Sequence, residues 1–367
     1  MEGSLGVSGV SGVSEAINFV LNNPWTVPGD APETPETPET PSDPSTPSTN
    51  ASFANYKSFL IIGNSHSQDV FLPLPEILKA EGYSGYTIGT LMLAGSSAAD
   101  HVKQINNSLT YAYKLSTNNS KYASKGNVTL KEALQDQSWD LVFMQNGPTD
   151  LAEKNNSVDR DNRTQVEDYI LANCKNSNVK IAYHLSWFGP YGDDPDEIQN
   201  SVVPDEGYGD VAMTADDYAK YTSDYASISW KIDYRYPKTQ HNKYCDLITN
   251  NILNNSRYVG GISTCAAVMY ANQVLGKKAG KVSDWKAKNI DVLYRDELHM
   301  SDNGRILASY AFFVQYMVGA EITEVKLNTI VAALRRQGDT DVTITNEWKT
   351  LIVQSANWAL NNTWTHL

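Results

Sequence analysis

Five short apolar runs, each closed by turn residues, recur along this chain of 367 residues, with helical periodicity between them. They are Lys57 to Gly63, Tyr86 to Leu93, Trp139 to Gln145, Val179 to Trp187 and Tyr258 to Thr264. Continuous rather than alternating apolar residues suit strands covered on both faces, the condition of a parallel sheet. The intervening pattern predicts helices over Pro75 to Glu81, stopped by Gly82, over Gln165 to Asn176 and over Ala266 to Leu275. A further helix carries Ile306, Leu307, Tyr310, Phe313, Val314 and Met317 and ends at Gly319. Alternation of this kind predicts an α/β fold with a mainly parallel sheet between helices. Two more helices, Glu324 to Arg336 and Asn346 to Asn361, are expected to pack on the same domain, the second capped by Thr345 or Asn346.

The first part of the chain follows different rules. Residues 28–49 read PGDAPETPETPETPSDPSTPST, a proline every three or four positions. Proline fixes φ and removes the amide donor, so this stretch is expected to be an extended acidic spacer. Residues 1–27, with a Gly-Val-Ser triplet repeated from Gly6 to Ser14 and an apolar stretch from Ala16 to Leu21, are too small to fold alone. Three segments are therefore expected: 1–27, a linker over 28–54, and one folded domain over 55–367. The start carries no basic n-region, so a secretory signal was removed or never existed. Spacer and tail together predict an extracellular or surface protein of bacterial type, borne by a cell or a virion.

Charge narrows the partners. The formal net charge is −13, of which residues 1–49 supply −7 because they hold no Lys or Arg. A negative field repels polyanions, so neither nucleic acid nor an anionic lipid surface is an expected partner. No apolar run reaches the ~18 residues of a membrane span. Cys174, Cys245 and Cys265 stand far apart and make no knuckle or disulfide framework; they read as small buried hydrophobes. No metal-ligand pattern and no phosphate-binding glycine motif occurs, so no cofactor is expected.

A parallel sheet places its ligand beyond the carboxyl ends of its strands. After the first run stands Gly63-Asn64-Ser65-His66-Ser67, where a Ser on a strand-to-helix turn can present its hydroxyl among backbone N–H groups. The second glycine of Gly-x-Ser-x-Gly is missing, so this is not the α/β-hydrolase elbow. Late in the domain, Asp296-Glu-Leu-His299 precedes a helix for which Ser301 or Asp302 is the natural cap. A carboxylate three residues from an imidazole can hold one ring nitrogen and turn the other outward, as a general base requires. His66 adjoins Ser65, but neighbours on a tight turn rarely point together. His101, His241 and His366 have no motif around them.

Taken together, the Gly-Asn-Ser block and the late Asp-x-x-His resemble the SGNH (GDSL-type) hydrolases, in particular a bacterial branch with Gly-Asn-Ser in place of Gly-Asp-Ser. The resemblance covers about residues 57–320. It implies a three-layer α/β/α, flavodoxin-like fold with a five-stranded sheet, and hydrolysis of esters, often acetyl esters on carbohydrates. It further implies Ser65 as nucleophile, His299 as general base and Asp296 as its orienter. Ser65 and Gly95 would supply backbone donors to the oxyanion. The chain departs from the family's Gly-x-Asn-Asp after the third strand, reading Met144-Gln145-Asn146-Gly147, so Gln145 or Asn146 would complete the hole, with Gln145 preferred. His184 and Trp187 match that branch as substrate-facing residues, Trp187 either as a platform for a sugar ring or as a half-buried side chain filling the end of the sheet. The expected partner is a small-molecule or glycan ester. The competing expectations are a glycan-binding module whose catalytic set has lapsed, and a lipid or short-chain acyl esterase.

Overall fold

The structure, a computed structural model, describes residues 53–145, 157–187, 189–190, 231–232, 242, 245–246, 248–279, 292–296 and 298–362. The 1–27 segment, the linker up to residue 52, Asn146 and residues 191–211 lie outside the described residues.

The five apolar runs form β1 (Ser58–Gly63), β2 (Thr87–Met92), β5 (Leu141–Met144), β6 (Lys180–Leu185) and β7 (Tyr258–Ser263). Between β2 and β5 the chain adds β3 (Tyr111–Thr117) and β4 (Ala123–Val128). The result is one sheet of seven strands, ordered β4-β3-β2-β1-β5-β6-β7. The expected count of five is thus corrected to seven. The five anticipated strands run parallel, while β3 and β4 form an antiparallel edge. Continuous apolar runs do not reveal that edge. In β3, buried Tyr111, Tyr113 and Leu115 alternate with half-exposed residues, and β4 (ASKGNV) is almost wholly exposed and carries Lys125, an edge-protecting charge.

Burial on both faces follows from the period of two. Phe59 and Ile61 of β1 enter one core, with Phe71, Ile77, Phe143, Ala267, Phe312 and Trp348. Leu60 and Ile62 enter the other, with Leu134, Met144, Val166, Ile170 and Tyr183. The first core is roofed by α1 (Ser65–Phe71), α2 (Leu74–Ala80), α7 (Asp302–Phe313) and α8 (Asn346–Asn362). The second is covered by α3 (Ala98–Asn106), α4 (Leu130–Asp136) and α5 (Ser157–Asn173). α6 (Thr264–Leu275) contributes to both. Phe53 is already in the first core, stacked on Tyr316 at 5.6 Å, and Cys245 and Cys265 are buried, as expected.

One expected helix does not form. Over Glu324 to Arg336 the chain instead pairs Thr329–Ile330 with Val342–Thr343 and makes a single 3-10 turn, Ala332–Leu334. Tertiary bonds override local propensity here. The backbone N–H groups of Arg336 and Gln337 donate to the buried Asp302 carboxylate at 2.6 and 3.2 Å, and Ala332 N donates to Asp341. Both cap alternatives resolve: Ser301 caps α7, its Oγ accepting from Gly304 N at 3.1 Å, and Thr345 Oγ1 accepts from Trp348 N.

From β1 the chain moves to one side for β2 and later to the other for β5. The crevice beyond the carboxyl ends of β1 and β5 is therefore the switch point, where such sheets hold ligands. The loop of residues 292–300 reaches it by folding back on α7. Ser301 N donates to Leu293 O at 2.9 Å and Arg295 N to His299 O at 3.0 Å. Gly304 makes this approach possible, since a Cβ there would overlap the Leu293 carbonyl oxygen and lie 2.9 Å from Met300 Sδ. Gly304→Ala is expected to cost about 1–3 kcal/mol by overpacking. Thermal denaturation will read this as a lowered Tm, and a Tm equal to wild type would refute the packing argument.

Candidate active site

β1 ends at Gly63, and α1 begins two residues later, which leaves Asn64 as the N-cap. Its side chain accepts from His66 N at 3.1 Å and its own N–H donates to Gln145 Oε1 at 3.1 Å. Gly63 is required because a Cβ would meet Ser67 Oγ and Gln145 Oε1. Ser65 takes the first helical position and is half-buried, its hydroxyl at the solvent end of the sheet.

The 292–300 loop brings His299 to it from 234 residues away, with Nε2 at 2.8 Å from Ser65 Oγ. Asp296 lies on the other side of the ring, both carboxylate oxygens 2.9 Å from Nδ1. Asp296 Oδ1 also accepts from the N–H groups of Leu298 and His299, each at 2.8 Å. Burial would raise this carboxyl, but the bonds from His299 and the two amides outweigh it and hold it at about 2. With Nδ1–H donating to the ionised carboxylate, Nε2 is the acceptor for the Ser65 hydroxyl.

The other expected residues separate into two groups. Gly95 lies on the exposed turn after β2 with φ of +60°, a left-handed conformation that suits glycine. That turn is tied to the Ser65 block by Asn64 Nδ2, which donates to Ser96 O at 3.4 Å. Gln145 is fully buried beneath the block. Its Oε1 accepts from Asn64 N and, at 2.7 Å, from Ser67 Oγ, while its Nε2 donates to Ser186 Oγ at 3.3 Å. It braces the turn from below.

His184 and Trp187 require correction as substrate-facing residues, because both are 0% exposed. The alternation of β6 sends His184 into the first core between Phe71 and Phe312, bonded to Thr264 Oγ1 at 3.0 Å. Burial pulls its imidazole down to about 3. Trp187 offers no open face to a sugar. One face stacks on His66 at 4.7 Å, and Nε1 donates to Leu298 O at 2.9 Å, pinning the loop of Asp296 and His299. His66 is turned away from Ser65; its Nδ1 lies 3.1 Å from Ser186 Oγ, and burial, then His299, lower it to about 4. It is a neutral wall beside the site, edge-on to His299 at 5.8 Å.

Sequence reasoning missed Arg295, which joins the two halves. Its Nη1 donates to both oxygens of Asp69, one turn along α1 from Ser65, at 3.1 and 3.0 Å, and to Met300 O at 2.9 Å. Its place beside Asp296 was the available signal. Among the described residues, no group of three or more His, Cys, Asp or Glu side chains could hold a metal ion.

Residues 58–200 match a family model described as a domain of unknown function, DUF4886. The fold is similar to that of a DUF4886 family protein from Bacteroides uniformis, at 17% identity and a TM-score of 0.55, over 84% of this chain and 96% of that one. Weaker likenesses include a catalytic mutant of an acetylxylan esterase from Geobacillus stearothermophilus (13% identity, TM-score 0.34, 71% of this chain and 93% of that one). A gut microbial diltiazem-metabolizing enzyme gives 12% identity and a TM-score of 0.37, over 77% of this chain and 51% of the other. No curated protein matches the sequence.

Proposed function

We propose that this chain is a serine esterase of the SGNH type that cleaves esters through an acyl-enzyme, with carbohydrate O-acetyl esters as its substrate class. One observation carries the reading: Ser65, His299 and Asp296 form a continuous hydrogen-bonded series at a sheet's switch point, with the serine hydroxyl 2.8 Å from the imidazole. Ser65 Oγ attacks the ester carbonyl while its proton passes to His299 Nε2. Asp296 steadies the imidazolium. The negative oxygen that develops is met by the backbone N–H groups of Ser65 and Gly95. His299 then gives its proton to the departing alcohol, and water, activated by the same nitrogen, releases the acid from Ser65. Gln145 fits better as the brace that holds Ser65 in place than as a direct donor, because both ends of its amide are engaged inside the protein. The half-open setting of the site, with His299 22% and Asp296 38% exposed, supports a small or sugar-borne ester over a long acyl chain.

Ser65→Ala and His299→Ala are each expected to lower kcat/KM on a chromogenic acetyl ester by at least about 10³-fold. A fluorophosphonate probe is expected to label wild type and not Ser65→Ala. Unlabelled wild type that still binds glycan would instead favour the lapsed-module reading.

The electrostatics set the pH behaviour. A protonated His299 cannot accept from Ser65, so kcat/KM must rise with pH. Asp296, held at about 2, stays ionised throughout and adds no second step. Asp296→Asn should keep the fold but lose on the order of 10²- to 10⁴-fold in kcat, since the amide no longer fixes the tautomer. An activity that falls as the pH is raised would contradict the role of His299 as base.

A further inference from the structure

Among the described residues beside the triad, positive charge exceeds negative. Asp69, buried on α1, accepts from Arg295 and lies 3.3 Å from Arg305 Nε and 3.8 Å from Arg336 Nε. Asp302, buried at the start of α7, pairs with Arg305 Nη1 at 3.4 Å and Arg335 Nε at 2.9 Å. Asp296 is 3.6 Å from Arg295 Nε. Among the described residues, four guanidiniums thus face three carboxylates, within a chain of net charge −13. A buried ion network that served only as a brace would be expected to balance, because an uncompensated charge is costly to hold away from water.

Individual groups register the surplus. Arg305, 1% exposed, has two nitrogens without a hydrogen bond, Nε and Nη2, and Nε of Arg336 likewise makes none. Burial lowers Arg305 to about 10, and Arg336 and Arg295 deepen the fall against the pull of Asp69 and Asp302. Two of the guanidiniums reach solvent: Arg336 keeps 31% and Arg295 15% of side-chain exposure. Both are tied to the nucleophile's own helix. Arg336 Nη2 donates to Gln68 Oε1, and Gln68 and Asp69 follow Ser65 by three and four positions on α1, a spacing of about 5–6 Å between Cβ atoms.

We propose that this surplus receives an anionic group carried by the substrate, so that the ester cleaved at Ser65 belongs to a carboxylated, phosphorylated or sulfated molecule whose anion rests on Arg336 and Arg295. The inference rests on the hydrolase reading and narrows its substrate class; for a sugar ester it specifies an acylated sugar acid or sugar phosphate or sulfate. A guanidinium suits this task, since its fork of donors matches carboxylate, phosphate and sulfate oxygens.

Matched esters test it. With the charge in the acyl part, 4-nitrophenyl hydrogen adipate is compared with its methyl ester. With the charge in the alcohol part, 4-acetoxy-3-nitrobenzoate is compared with its methyl ester. In at least one pair the anionic member should show a kcat/KM at least about tenfold higher, as expected for a charge-assisted hydrogen bond, and the preference should shrink as salt rises. Arg336→Gln should abolish the preference and Arg336→Lys should retain part of it, which guards against a glutamine variant that fails to fold. Neutral esters cleaved as fast as the anionic ones in both pairs would overturn the anion site and leave the esterase standing. A preference untouched by both variants would also overturn it. Cleavage of none of the esters would instead overturn the esterase itself, and the anion site with it.

Discussion

The contact of Ser65 with His299 joins residues 234 positions apart, and it exists only because one loop is held on one helix. Neither partner fixes the other, since a single hydrogen bond contributes about 1 kcal/mol net. The loop is held by groups outside the triad. Arg295 grips Asp69 on the nucleophile's own helix, Trp187 holds the Leu298 carbonyl from the end of β6, and Gly304 lets Leu293 lie against α7. Three different elements therefore define where the imidazole sits. The Ser65 side is fixed just as thoroughly, by the Asn64 cap above and the Gln145 amide below.

The cost of this arrangement falls on the ion network. Placing Asp69 and Asp302 in the interior carries a desolvation penalty that their arginines only repay with good geometry. In return, a single buried carboxylate, Asp302, draws in the backbone of Arg336 and Gln337 and the side chains of Arg305 and Arg335. That bonding explains why residues 324–336 abandon the helix their sequence favours. It also delivers the Arg335-Arg336 pair to the neighbourhood of α1. The departure from local propensity and the positive charge beside the site thus have one physical origin.

Much of this was legible in the residues themselves. Continuous apolar runs located all five parallel strands, because burial on two faces leaves no polar alternation. The block around Ser65 and the Asp296-x-x-His299 spacing pointed to groups that do meet. What escaped was of two kinds. The β3–β4 edge is half exposed and so lacks the apolar signal. The roles of His184, Trp187, Gln145 and the arginines depend on which way a side chain turns once strands are in register. His184 and Trp187 are polar or amphipathic residues at a strand's carboxyl end, a position that reads as functional. Only packing reveals that one fills the core and the other serves as a clamp.

Among the described residues, His66, His184 and His299 lie on or against α1, and their surroundings divide the labour. His184 and His66 are enclosed by Phe71, Phe312 and Trp187, and burial keeps both neutral, at about 3 and about 4. A histidine that cannot take a proton is useless as a base but valuable as a neighbour, because it adds no repulsive charge when the working imidazole becomes protonated. His299 alone has a carboxylate on Nδ1 and partial exposure to water. Had His66 carried a proton, its charge would have opposed, across 5.8 Å, the one His299 takes from Ser65. Enclosing two of the three rings in apolar walls is what leaves a single proton acceptor within reach of Ser65.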